Sequence, residues 1–364
     1  MATYADLGLY GQDGFTSKKR SEITGTEPAL NHTTIGALAA NADNYEFIIH
    51  PGDLAYADDW IEDLTNVFTG KQAYTAIIET FYNQLAPVSA RKPYMVSPGN
   101  HEATCQEIPY TSGLCPAGQS NFSDFQNRFD GMMPNAFASG SSNSSAASIR
   151  AVAAKMAQPP FWFSFDYGMV HVVMFDTETD FPDAPDAPGG SAHLDQGPFG
   201  SINQQLQFLN ADLQSVDRTV TPWVIVAGHR PWYTNGDDAG CGPCQTAFED
   251  IFYKYGVDLA AFGHVHNLQR FVPIYNGTVD PAGLNNPKAP MYTVIGGPGN
   301  IEGHSETTPI TTGNAFAYND TFGFGALTFH NKTHLEVNFY NSVDGSVLDN
   351  SMLIKNHDTA FVVQ

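Results

Sequence analysis

The chain has 364 residues, 42% of them hydrophobic and 12% aromatic, which is enough for a sizeable core in one large or two ordinary domains. Acidic residues outnumber basic ones 38 to 16, for a formal charge of −22. That balance excludes the basic footprint of a nucleic-acid-binding protein and disfavours docking to anionic membranes; no apolar run is long enough to span a bilayer.

In chain order, residues 33–43 and 72–86 carry a helical pattern, and so do 201–215 and 245–255. Short apolar runs at 46–49, 94–97, 223–227 and 257–262 read as strands, and 161–176 reads as a hairpin turning at Tyr167-Gly168. From 291 to about 355 the pattern is strands and turns only. Such alternation predicts α/β layering with some parallel strands. Residues 139–148 (SGSSNSSAAS) read as a low-complexity loop, and prolines break the stretch 180–190. Neither resembles a linker between independent domains, and no internal repeat is present.

Two features point to an oxidising, extracytoplasmic setting. Six N-x-[ST] acceptors occur, at Asn31, Asn121, Asn143, Asn276, Asn319 and Asn331. The four cysteines form two close pairs, Cys105/Cys115 and Cys241/Cys244, which suit local disulfides. No apolar signal segment follows Met1, so a secreted protein with its signal peptide removed is the expectation.

The strand ends carry the chemistry. TYADLG closes on Asp6, and FIIHPGDLAY on Asp53 and Tyr56. YMVSPGNHE closes on Asn100, His101 and Glu102, WVIVAGHRPWY on His229, and LAAFGHVHN on His264 and His266. Open α/β sheets collect ligands at the carboxyl ends of their strands. Each motif alone has a plainer meaning. Gly-Asp is turn chemistry, Asn-His a cap or loop pair, and a lone tyrosine a packing aromatic. In G-H-x-H the two imidazoles face one way on an extended segment, a sharper sign of metal binding. His50 and His171 fall inside strands and read as ordinary buried histidines. Taken together, five strand ends predict one rim of carboxylates, amide, imidazoles and phenol. Carboxylate, phenolate and imidazole suit Fe(III), whereas imidazole with amide and carboxylate oxygens suits Zn, Mn or Fe(II). Asp53 is placed to bridge two ions about 3.5–4 Å apart.

The set ADLG, GDLAY, GNHE, GHRPWY and GHVH, in this order and spacing, resembles the purple acid phosphatases of the metallophosphoesterase superfamily, in a fungal wording. The likeness continues through GGPGNIEGH at 296–304 and FGFGALTFHNKTHLEVNFY to cover nearly the whole chain. It implies a four-layer α/β/β/α sandwich with two mixed β-sheets. It also implies a single catalytic domain over 1–364, with a metal-binding core at 1–300 and a strand-rich part at 301–364. The N-terminal β-sandwich domain of larger relatives is not expected.

Carried over residue by residue, the resemblance places Fe(III) on Asp6, Asp53, Tyr56 and His266. It places the divalent ion, zinc first with manganese or Fe(II) as alternatives, on Asp53, Asn100, His229 and His264. Asn100 and His101 would bind substrate, a hydroxide held by the ions would attack phosphorus, and His101 would protonate the leaving group. The implied protein is a secreted acid phosphatase acting on small phosphate monoesters, phytate among the candidates, as a monomer or homodimer.

The chain departs from the family pattern in three places. Ala5-Asp6 replaces Gly-Asp, and the sequence begins within the first catalytic strand. Asp238, followed by AGCGPC, stands where plant and animal relatives have histidine, which leaves leaving-group selectivity and pH profile open. A phosphodiesterase or nucleotidase on the same metal core is the nearest rival. The CGPC pair raises a redox reading, and a metal- and phosphate-binding protein without turnover is a third.

Overall fold

A computed structural model describes residues 1–9, 33–62, 70–105, 115–116, 118–135, 142–236, 238 and 240–357. The first part builds parallel strands. β1 (Ala2–Thr3) precedes α1 (Thr34–Ala40), whose first turn is capped by the Thr33 hydroxyl accepting the Gly36 N–H. β2 (Ile48–Pro51), α2 (Gly70–Ser89) and β3 (Tyr94–Ser97) follow, and β1, β2 and β3 lie parallel. Next come α3 (Ser123–Phe129) and α4 (Ser144–Met156), then the hairpin β4 (Phe163–Tyr167) and β5 (Val170–Met174). Then α5 (Gln204–Gln214), β6 (Trp223–Ala227), α6 (Gly242–Lys254) and β7 (Leu259–Phe262) alternate. The remainder is β8 (Leu268–Phe271), β9 (Ile274–Tyr275), β10 (Thr278–Val279), β11 (Met291–Ile295), β12 (Asn314–Tyr318), β13 (Gly323–Phe329), β14 (His334–Asn341) and β15 (Val347–Ile354).

Two large mixed sheets result. One runs β15-β14-β13-β1-β2-β3, the other β12-β8-β11-β7-β6-β5-β4. The C-terminal strands thus complete the sheet that the first strand begins, since β13 pairs antiparallel with β1. Strands β5, β6, β7 and β11 are buried at every position, as parallel strands covered on both faces must be. The sheets meet through aromatic pairs: Phe47 on Phe165 at 5.5 Å, Trp223 on Phe329 at 6.2 Å and Phe316 on Phe339 at 5.4 Å. Outside the second sheet, Phe248 and Phe252 of α6 pack edge-on against Phe175. This is the mixed α/β architecture of paired sheets that the sequence predicts.

Helix α4 is a correction. It begins inside the stretch read as a low-complexity loop, of which 139–141 lie outside the described residues. The Asn143 carboxamide accepts the N–H groups of Ser145 and Ala146, and the alanine-rich run behind it favours helix. Its buried residues are Ala146, Arg150 and Ala153, a narrow face of small side chains around a charge, so periodicity concealed it. The Arg150 guanidinium, 2% exposed as a side chain, bonds Asp212, Asp166 and Ser164, and His171 sits between Asp166 at 2.6 Å and Asp212 at 2.7 Å.

This cluster sets a pH dependence of stability. Burial alone would lower the His171 pKa, but the Asp212 carboxylate and the bond to Asp166 override it and raise it. A histidine raised on folding stabilises fully below about pH 6.5 and loses that contribution as pH climbs through its folded value. Burial likewise opposes ionisation of Asp166 and Asp212, yet His171 and Arg150 hold both below the usual carboxylate range. Their contribution is present above about pH 3.9 and fades below it. The melting temperature is therefore expected to be highest in the acid window between these limits. Scanning calorimetry of wild type and His171→Gln at pH 5 and pH 8 checks this: the variant should melt lower at pH 5 and lose part of the acid-to-neutral difference. An unchanged difference would refute it.

Candidate metal centre

Four residues with left-handed backbone gather at the strand ends. Asp6, Asp53, Tyr56 and His264 all adopt left-handed φ values, 60, 53, 53 and 68°. Each such non-glycine residue costs on the order of 1–3 kcal/mol and persists only where its surroundings impose it. Here they do. The Asp6 carboxylate accepts the His264 N–H, and the Asp53 carboxylate accepts that of His101 at 2.9 Å. Half-buried Glu102 accepts the N–H groups of Asp53, Leu54 and Gly99 at 2.8–2.9 Å, tying the ends of β2 and β3 together.

Glycines leave the room this requires. A Cβ on Gly52 would lie 2.6 Å from His229 Nδ1, and one on Gly99 would collide with the Asp53 carboxylate. One on Gly263 would strike Asp6 Oδ2 and the Ala5 Cβ. The Ala5 methyl fits because Gly263, which faces it, has no Cβ.

The strand-end side chains converge. Tyr56 Oη lies 2.8 Å from His266 Nε2, 3.1 Å from Asp6 Oδ1 and 3.4 Å from Asp53 Oδ2. His229 Nε2 lies 3.0 Å from Asp53 Oδ2 and 3.1 Å from Asn100 Oδ1. Ligand atoms of Asp6, Asp53 and His266 fall within 4.8 Å of one another, as do those of Asp53, His229 and His264. Asp53 belongs to both groups. The phenolic hydrogen of Tyr56 faces the carboxylates of Asp6 and Asp53, with His266 Nε2 on the same oxygen. The donor set is oxygen and imidazole, buried and convergent, and it fits hard or borderline cations.

Electrostatics agrees with that fit. Burial opposes charge on Asp53, but His229 and His101 pull its pKa well below the usual range. Burial also opposes charge on His229, yet the carboxylates of Asp53 and Asp6 raise its pKa to about 10. For Tyr56, burial first, then Asp6 and Asp53, push the phenol well above its ordinary value. Cations bound here would reinforce the ionised state of Asp53 and displace the protons that His229 and Tyr56 otherwise hold.

His101 lies at the edge of this cluster, its ring 4.1 Å from the Tyr56 ring. Its Nδ1 is 2.9 Å from Asp58 Oδ2, and its Nε2 is 3.9 Å from Asp53 and 4.0 Å from Glu302. The Glu302 carboxylate is also 3.9 Å from His266 Nδ1. Asp58 and Glu302 escaped the sequence reading. Asp58 opens a short 3-10 turn at Asp58–Glu62, so its five-residue spacing from Asp53 was the available signal. Glu302 sits in the GGPGNIEGH block, where nothing in the spacing singles it out.

Residues 29–268 match the family model described as calcineurin-like phosphoesterase, and 289–350 that of iron/zinc purple acid phosphatase-like protein C. The chain is 56% identical over 368 residues to acid phosphatase A of Cryphonectria parasitica, covering 99% of this chain and 73% of that protein. The chain belongs to the purple acid phosphatases. By family, this purple acid phosphatase is a metal-dependent phosphoric monoester hydrolase. It is also 34% identical over 326 residues to an acid phosphatase of Aspergillus ficuum, over 74% of this chain and 50% of that one. The structure of a purple acid phosphatase from yellow lupin (Lupinus luteus) seeds superposes with a TM-score of 0.61 at 22% identity, over 98% of this chain and 54% of the lupin chain, a likeness of fold.

The remaining sequence-predicted positions are not members of the two ligand clusters. Cys105 is bonded to Cys115 and Cys241 to Cys244. The helix read at 245–255 begins earlier, and Cys241 is its N-cap, with Cys244 fully buried against the Thr177 carbonyl. In sequence, thirteen positions (228–240) lie between the end of β6 and that cap, so it does not follow a strand directly. Asn121, Asn143, Asn276 and Asn331 are exposed and Asn319 half-buried, while Asn31 lies outside the described residues. His50, which bonds the Tyr94 hydroxyl at 2.7 Å, is held neutral by burial with a pKa of about 3.

Proposed function

We propose that this purple acid phosphatase hydrolyses small phosphate monoesters at acid pH with two cations around Asp53, Fe(III) and a divalent ion, zinc first. Asp6, Asp53, Tyr56 and His266 would hold the first; Asp53, Asn100, His229 and His264 the second. Two cations bound here would polarise the phosphoryl group and lower the pKa of a water. The chain's own residues would do the rest. Asn100 and His101 orient the ester, and Glu102 keeps the β2 and β3 ends in register. Asp58 holds His101 Nδ1, so that Nε2 faces the substrate side and delivers a proton to the departing oxygen. The observation that carries this reading is the Asp53 carboxylate shared by two clusters of ligand atoms.

The same reading treats residues 1–364 as one catalytic domain, because β13–β15 complete the sheet that bears Asp6 and Asp53. The two disulfides and the surface asparagines support a secreted glycoprotein. Elemental analysis should find two metal ions per chain, one of them iron, with a phenolate-to-iron band in the visible spectrum. Phosphate release from a chromogenic monoester should outrun cleavage of the matching diester. A metal-free active protein would sink the proposal, and faster diester cleavage would move it to the phosphodiesterases.

A further inference from the structure

The loop that supplies His229 also supplies Arg230, and the two face different ways. The Arg230 backbone N–H and that of His229 both donate to the Thr177 hydroxyl. Its guanidinium is anchored by buried carboxylates, Glu178 at 2.7 Å and Asp186 at 3.5 Å. From that anchorage Nη1 reaches His264 Nε2 at 3.0 Å. Asp238 Oδ2 stands 3.8 Å from the same nitrogen.

Donor and acceptor rules make this contact informative. A guanidinium donates and never accepts, so His264 Nε2 must be the lone-pair nitrogen in this arrangement. Suppose His264 binds an ion through Nδ1. Its Nε2 then carries the hydrogen, and two donors would face each other 3.0 Å apart. Suppose instead that it binds through Nε2. The ion and Nη1 then compete for one lone pair. Either way, the Arg230 contact and ligation by His264 exclude each other. An Nε2–H released from Arg230 has the Asp238 carboxylate beside it as acceptor. Carboxylates of this kind orient metal-binding imidazoles and raise their basicity.

We infer that Arg230 and Asp238 are opposed positioning residues for His264: the Arg230 contact occupies the imidazole and opposes ligation, and Asp238 is the carboxylate that accepts its N–H and favours ligation. This rests on the two-ion reading given above. It also assigns Asp238, where plant and animal relatives have histidine, to holding a ligand rather than to contacting the substrate.

The test reads zinc affinity, with zinc ion alone as the probe. The iron-containing protein is freed of its divalent ion by dialysis, and zinc is titrated back against a competing chromogenic chelator. The visible iron band reports that the first site is intact. Asp238→Ala should weaken zinc about tenfold, within the roughly 10–100-fold range of outer-shell partners, and Asp238→Glu should restore most of it. Arg230→Lys keeps the charge beside Glu178 but lacks the fork that spans to His264, and it should tighten zinc several-fold. Equal zinc affinity in wild type, Asp238→Ala and Arg230→Lys, with the iron band unchanged, would overturn the inference and leave the two-ion centre standing. A wild-type protein that takes up no zinc beside its iron would overturn both. Should Arg230→Lys misfold, the Asp238 pair decides alone.

Discussion

Asp53→Asn is expected to abolish occupancy of both ion positions, erase the visible band and reduce turnover at least a thousandfold, about 4 kcal/mol in the barrier. The substitution keeps the side chain's shape, and the amide oxygen can still accept the His101 N–H. What changes is charge and one lone pair. An NH₂ replaces an acceptor oxygen in a place where His229 Nε2 stands 3.0 Å away and Tyr56 Oη 3.4 Å away. No other carboxylate belongs to both ligand clusters among the described residues, so nothing can substitute for the shared anion. His229 would lose the first of the charges that hold its pKa near 10, and Tyr56 would lose the cation that its phenolate needs. Metal content, absorbance and kcat on one chromogenic ester measure the effect together, with circular dichroism to confirm the fold. A variant that keeps iron and half its activity would place the shared ligand elsewhere.

Much of this centre was legible in the sequence because strand geometry forces it. A buried β-segment must end, and glycine lets the chain turn where a Cβ would collide with a ligand, as at Gly52, Gly99 and Gly263. Those glycines, with the polar residue after each, were visible as GD, GN and GH. The supporting residues were less legible. Arg230 was read only as part of GHRPWY, since its anchors Glu178 and Asp186 come from a proline-rich loop whose path no local pattern fixes. Asp58 drew no reading of its own among the acids of this chain, although it is 3% exposed. Helix α4 was missed for the opposite reason. Its alanines and serines give little amphipathic signal, and the feature that anchors it, Arg150 among two aspartates and a histidine, is a tertiary arrangement. Periodicity reports burial of apolar faces; it is silent where the buried face is ionic.

His101→Ala is expected to lower kcat by about 10²–10⁴-fold on alkyl phosphates and far less on 4-nitrophenyl phosphate. The contrast follows from what a proton does. An alkoxide cannot depart without one, whereas nitrophenolate can, so removal of the acid is felt in proportion to leaving-group basicity. The geometry suits the role. With Nδ1 bonded to Asp58 at 2.9 Å, the imidazole is tethered through that nitrogen, and Nε2 is the nitrogen that lies near Asp53 and Glu302. Asp58→Ala should follow the same trend with a smaller loss, roughly 10–100-fold, because His101 remains but swings more freely and gives up its proton from an unfixed position. Plotting log kcat against leaving-group pKa for wild type and both variants separates the roles. A steeper slope in His101→Ala, with an intermediate one in Asp58→Ala, is the signature of a positioned acid. Parallel lines displaced by a constant amount would mean that His101 binds the phosphoryl group in ground and transition states alike, and the proton would then have to come from another group, with Glu302, 4.0 Å from His101 Nε2 and outside the two ligand clusters, the first candidate.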